Sequence, residues 1–380
     1  MYVATERVES VQRALPFWAA LTLVPLAVIS ALYGGWFLLL LPLFTWYFFA
    51  LLDAVLGLDT DNLDPFTRDR HLRLYTAITV IWAPIQFCLL VWMLWYATGP
   101  GTAHLSMFEI IALFSGMGVV SGTIGINFSH ELMHQRSKTE KAMADVLLGM
   151  VMYSHFRSEH LLVHHRYVGT PKDPVTARYN EGFHRFLVRV LAACYKSAFA
   201  AEAAQLARKE KPWYHISNPF WIYWGLQAYM LILAALIGGW AAVGLFLWQA
   251  LVAIWQLELV NYVEHYGLTR KHLGNGRYEH VRPHHSWNAA QKASNWLLIN
   301  LQRHSDHHFK PTRRFPLLQN YSEDEAPQLP HGYPVMTMAA LVPPLWRRMM
   351  NPRVRRWRKM YYPEIAEWSA YNSAQNPMPR

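Results

Sequence analysis

In a chain of 380 residues, 53% are hydrophobic and only 16% are charged, well below the roughly 25% charged fraction of soluble domains. The apolar residues gather in long runs, which excludes an ordinary soluble enzyme and points to a chain that crosses a bilayer. The formal net charge of +10 resides in connecting segments and near the C-terminus, where it sets membrane orientation, so nucleic acid is not an expected partner.

Apolar runs long enough to cross about 30 Å of hydrocarbon are predicted near 15–34, 36–57, 76–98, 107–128, 219–239 and 241–262. The expected fold class is all-α, a six-transmembrane-helix bundle with a helical cytoplasmic cap. Short links at Tyr33-Gly34-Gly35, Gly99-Pro100-Gly101 and Gly238-Gly239 join the spans into three hairpins and carry no Lys or Arg. Arg68, Arg70 and Arg73 follow the second span, and the segments after the fourth and sixth are also basic. This asymmetry predicts a multi-pass protein of the bacterial cytoplasmic (inner) membrane with both termini in the cytoplasm. No cleavable signal peptide is expected, because the first apolar run follows a mixed-charge head and leads into another span.

The stretch 129–218 reads as a cytoplasmic insert partly resting on the membrane, with helices near 140–153 and 184–207, and 263–380 as a cytoplasmic cap and tail. The whole of 1–380 reads as a single membrane domain. Cys88 and Cys194 are far apart, so neither a disulfide framework nor a thiolate iron site is available.

Histidines cluster just beyond the cytoplasmic ends of the spans. His130 and His134, in His130-Glu131-Leu132-Met133-His134, share a helix face at i, i+4 spacing. The same spacing occurs in zinc proteases, where the Glu is a general base. Two further clusters argue against that reading: Glu159-His160-Leu161-Leu162-Val163-His164-His165, and Arg303-His304-Ser305-Asp306-His307-His308. With His265 after the sixth span, the candidate metal ligands are His130, His134, His160, His164, His165, His265, His304, His307 and His308. One zinc takes three or four protein ligands, so nine divide over two ions. Imidazole suits Fe, Cu, Zn and Ni, so ligand type does not name the metal.

Ionisable residues inside spans are costly and often functional, which singles out Asp53, Glu109 and Glu258. Glu258 lies two helical turns before His265, with Asn261 between them. Glu258, Asn261 and Asp306 are candidates for orienting ligand imidazoles, and Glu131, Glu159 and Glu264 also stand beside ligands. The basic run Arg347-Arg348, Arg353, Arg355-Arg356, Arg358-Lys359 suits lipid head groups or an acidic electron-transfer protein.

The histidine series, with Asn261-Tyr262-Val263-Glu264-His265-Tyr266-Gly267-Leu268 and Leu301-Gln302-Arg303-His304-Ser305-Asp306-His307-His308, resembles the motifs of the membrane-bound alkane 1-monooxygenases over about residues 50–320. Val163 stands where that family usually has Gly, and Gln135 where it usually has Lys. Membrane desaturases share looser histidine boxes without the run ending in His265-Tyr266-Gly267. The resemblance implies two iron ions, O2 as co-substrate, and electrons from rubredoxin and its NAD(P)H-dependent reductase. The apolar hydrocarbon substrate would enter from the lipid bilayer and leave as a primary alcohol. A xylene-type methyl hydroxylase and a membrane fatty-acyl desaturase are the alternatives. No Gly-rich nucleotide fingerprint is present in the chain, which agrees with an external electron source.

Overall fold

The computed structural model describes residues 11–374; the predicted cytoplasmic placement of the two chain ends concerns residues outside that range. Four long apolar helices come first: α1, Val11–Tyr33; α2, Gly35–Leu56; α3, Arg73–Ala103; and α4, Met107–Met133. The insert contributes α5, Lys138–Gly149, and α6, Phe183–Ala207. A fifth apolar stretch, α7, covers Phe220–His265, and the cap carries α8, His304–Phe309, α9, Tyr333–Ala340, and α10, Pro343–Tyr361. Among the described residues the fold is all-α apart from a two-stranded hairpin that pairs His272–Gly274 with Arg277–Tyr278.

The last two expected spans are one 46-residue element bent at Gly238 and Gly239, whose backbones leave the helical region. A straight helix of that length would run about 69 Å, more than twice the hydrocarbon thickness. Gly239 has φ +60°, a conformation that side chains with a Cβ rarely adopt, so the chain reverses where the link was expected. The two arms of this element, before and after the bend, correspond to the fifth and sixth expected apolar runs.

Small residues and buried amides hold the bundle together, because lipid offers no hydrophobic drive between helices. The apolar window of α4 is 61% buried against 28% for α2 and 33% for α1, which makes α4 the central helix. At Gly118 a Cβ would lie 2.6 Å from Val252 Cβ, so only glycine lets α7 approach this closely. Gln86 of α3 donates to Ser121 Oγ of α4 at 3.4 Å, and Gln256 of α7 donates to the Gly118 carbonyl of α4 at 3.0 Å.

Two of the three ionisable residues singled out in spans brace the structure. Glu109 closes a capping box with Ser106 and accepts from Gly35 N at 2.8 Å, tying the first hairpin to the start of α4. Asp53 accepts from Ser294 N at 2.8 Å, joining α2 to the cap. In the insert, residues 168–178 are pinned to the chain just after His265. Arg270 N donates to Gly169 O at 2.7 Å, and Gly267 N donates to Ala177 O at 2.9 Å.

Candidate metal centre

All nine predicted histidines converge at one end of the bundle as two adjoining groups. His130, His134, His160, His165 and His307 form one, and His164, His265, His304 and His308 the other, with possible ligand atoms in each group lying within 4.8 Å of one another. The Nε2 atoms point inward. In the first group His134 and His165 lie 3.0 and 2.9 Å from His160, and His307 lies 3.0 Å from His165. In the second, His308 lies 3.2 Å from His164 and 3.0 Å from His304, and His304 lies 3.1 Å from His265.

Ligand atoms about 2.1 Å from a tetrahedral ion lie about 3.4 Å apart, so these spacings fit ions held by imidazole. The rings are also in the right protonation state. Burial holds His160, His165, His304, His307 and His308 well below the ordinary histidine pKa, leaving neutral rings with a free lone pair at neutral pH.

A π turn explains the sharing of ligands. The segment starts as an α-helix at Phe156–Glu159, widens over His160–His164, and closes through His165–Tyr167. His165 N donates to His160 O, an i to i+5 bond that brings His160 and His165 to one face. His164, four residues from His160, therefore turns to the other group. In α8, His304 and His308 share a face while His307 joins the first group.

The acidic candidates have differing roles. Glu264 Oε2 lies 3.3 Å from His304 Nε2, while its Oε1 accepts from Tyr333 Oη at 2.9 Å. Glu258 accepts from Tyr153 Oη at 2.8 Å and from Asn261 Nδ2 at 3.1 Å, so this pair supports the helix rather than an imidazole. Asp306 accepts from Arg313, from Tyr321 Oη at 2.7 Å and from Gln319 N at 3.0 Å; it anchors the loop after α8 instead of orienting a ring. Glu131 accepts from Gln135 Nε2 at 3.0 Å and from Phe315 N at 3.3 Å. Glu159 is fully buried, and among the described residues neither of its carboxyl oxygens has a hydrogen-bond partner. Burial, with Asp173 and Glu258 nearby, pushes its pKa well above the usual carboxylate range.

Asp173 was not singled out by sequence. Its Oδ2 lies 3.0 Å from His164 Nδ1 and accepts from Thr176 Oγ1 at 2.7 Å, and its Oδ1 accepts from Val175 N at 3.0 Å. A carboxylate on the outer nitrogen fixes the tautomer and strengthens the inner nitrogen as a ligand. The available signal was an Asp between prolines, in Pro171-Lys172-Asp173-Pro174, nine positions after a ligand histidine.

An apolar cavity of about 80 Å³ between the helices reaches His130, His160 and His304. Trp46, Ile126, Leu257, Val260 and Leu297 are among its walls. Two further π turns, Leu43–Phe48 in α2 and Ser121–Ile126 in α4, supply wall residues. Widened turns thus recur where the bundle opens around this space.

The fatty acid desaturase family profile matches residues 105–340. The chain is 37% identical over 337 residues to alkane 1-monooxygenase 2 of Pseudomonas aeruginosa, covering 87% of this chain and 84% of that protein. It is 36% identical to alkane 1-monooxygenase 1 of Alcanivorax borkumensis, covering 89% and 82%. Identity to the xylene/toluene monooxygenase hydroxylase component XylM of Pseudomonas putida is 30%, over 65% of each chain. The histidine motifs and these long alignments place this chain, a multi-helix membrane protein, in the alkane 1-monooxygenase family.

Proposed function

We propose that this chain binds two iron ions through its nine histidines and hydroxylates a terminal C–H bond of an alkane with O2, giving a primary alcohol. The observation that carries the reading is the meeting of two imidazole clusters with an apolar cavity inside the bundle. An alkane offers no proton for a base to remove and no leaving group, so acid–base side chains alone cannot attack it. Bound iron would supply the missing chemistry, the reductive activation of dioxygen with one oxygen atom inserted into the substrate and the other released as water.

The protein's own residues bind, orient and exclude water. Apolar walls from α2, α4 and α7 receive the hydrocarbon and lead its end toward His130, His160 and His304. Asp173 fixes the His164 ring, and Tyr333 fixes the Glu264 carboxyl next to His304. Electrons come from rubredoxin and its NAD(P)H-dependent reductase at the cytoplasmic face of the inner membrane, a side for the cap that its excess of basic residues supports.

Anaerobic purification, metal analysis and assay with a rubredoxin system test the proposal. About two irons per chain and a primary alcohol from an alkane are expected. One tightly bound zinc and no iron-dependent turnover would overturn it. Preferential attack on methylbenzenes would move the chain to the xylene-type hydroxylases, and an alkene product to the desaturases.

A further inference from the structure

On the side of Asp173 away from the histidines lies a second cavity, of about 280 Å³, between residues 169–179, α6, α10 and the segment near 371–374. Four cations line it: Lys172, Arg178, Arg189 and Arg358. Only Arg189 has an acidic partner among the described residues, bonding both oxygens of Glu181 at 2.9 and 2.8 Å. Lys172 lies over the rings of Tyr167 and Tyr278, and Arg178 forms no ion pair among the described residues.

Arg358 is the anomaly. The sequence placed it in a basic run suited to lipid head groups or an acidic electron-transfer protein, yet it is only 8% exposed. It lies over the rings of Tyr179 and Trp368 and donates to Asn372 Oδ1 at 2.7 Å, but its Nε has no partner and no carboxylate faces it among the described residues. Burial pushes its pKa down to about 10, and burial together with Arg189 lowers that of Arg178. Taking a guanidinium out of water without a counter-charge is costly. Asp173 also lines the cavity, but its oxygens are turned to His164, Thr176 and Val175 and it forms no ion pair with Arg358, Arg178 or Lys172 among the described residues.

We infer that this cavity is an anion site for a phosphate-type oxyanion, held by Arg358, Arg178 and Lys172. Arginine forks match the oxygens of such a group, and Tyr371 adds a hydroxyl to the wall. The ligand is either a free phosphate compound or the phosphate of a lipid head group, which present the same oxygens. Either would clamp α10 and the segment near 371–374 to the loop that carries Asp173.

Thermal unfolding of the full chain in phosphatidylcholine nanodiscs tests this against inorganic phosphate, with chloride at matched ionic strength as control. Phosphate at about 10 mM should raise Tm by about 2 °C, and Arg178→Gln and Arg358→Gln should each abolish the rise. If phosphate does nothing but phosphatidylglycerol nanodiscs raise Tm in the wild type and not in the variants, the site takes a lipid head group. Arg178→Gln and Lys172→Gln keep the test decisive should Arg358→Gln fail to fold, because both alter less buried side chains. Stabilisation by neither probe beyond chloride, or equal stabilisation of wild type and variants, would overturn the assignment.

Discussion

The five-imidazole and four-imidazole groups use the same ligand type and lie side by side, with the His165 and His308 rings 4.6 Å apart, yet their surroundings differ. In the four-imidazole group Asp173 holds His164 Nδ1, and Glu264 lies 3.3 Å from His304 Nε2. Among the described residues none of the five imidazoles in the other group is bonded to a carboxylate. The five-imidazole group presents two rings, His130 and His160, to the apolar cavity, whereas the four-imidazole group presents only His304. Asp173 thus braces one group from its outer side, whereas Glu264 lies beside the inward nitrogen of His304, and the other group faces the apolar cavity without a bonded carboxylate among the described residues. Outer carboxylates strengthen ligand imidazoles, so the two metal positions should differ in affinity and electronic character.

The largest expected effect comes from removing one ligand on each side. His160→Ala and His304→Ala should each lower alkane hydroxylation by about 100-fold or more and remove about one metal per chain. Metal analysis of folded, purified variants beside product assays checks this. Loss of both metals from either variant would show that the groups act as one unit rather than two sites.

Asp173→Asn addresses the difference directly. It keeps the shape of the side chain but removes the charge on His164, and should cost about 10- to 100-fold in metal affinity. The loss should fall on the four-imidazole position alone. Mössbauer spectra of the iron-loaded variant should then show one altered site and one unaltered site. Equal changes at both would erase the asymmetry.

Asp306→Asn provides the matching control. Asp306 braces α8, which supplies His307 to one group and His304 and His308 to the other. Weakening a buried, charge-assisted network costs about 2 kcal/mol. Stability should therefore fall while both metal positions weaken alike, as read from denaturant unfolding and metal titration. Selective loss at one position would mean that Asp306 acts on a single ring.

The convergence of the nine histidines was legible because eight stand in three sets at helical spacings, with His130, His134 and His265 directly after apolar runs, and the Gly238-Gly239 bend was legible because two glycines interrupt a run too long to cross once. The division of His160 and His164 was not. A 3.6-residue period places them together, and the π turn that separates them leaves no compositional mark. Asp173 was hidden for a similar reason: it reaches His164 from an irregular loop, where no period links sequence distance to contact. Asp306 had the right neighbours in sequence, but its partners Arg313, Gln319 and Tyr321 come from the following loop.

The smallest expected effect concerns that π turn. Val163 lies inside it, 5% exposed, between the residue that serves one group and the residue that serves the other. Either the branched side chain forces the wide turn, or the imidazoles impose it by occupying opposite sides. Val163→Ala separates the two causes. It removes two buried methyl groups but restores helix propensity, for a net cost of about 1 kcal/mol. The i to i+5 bond from His165 N to His160 O is a backbone contact, and a π turn is unfavourable without something to hold it. Ligation by rings on both sides provides that hold, so the variant should keep its full metal content and hydroxylate within about 2-fold of wild type. If Val163 were the cause, the turn would relax to an α-helix, bring His164 beside His160 and carry His165 about 100° around the axis. Metal content and activity would then fall as steeply as in His160→Ala, and the split between the two groups would belong to the packing of one valine.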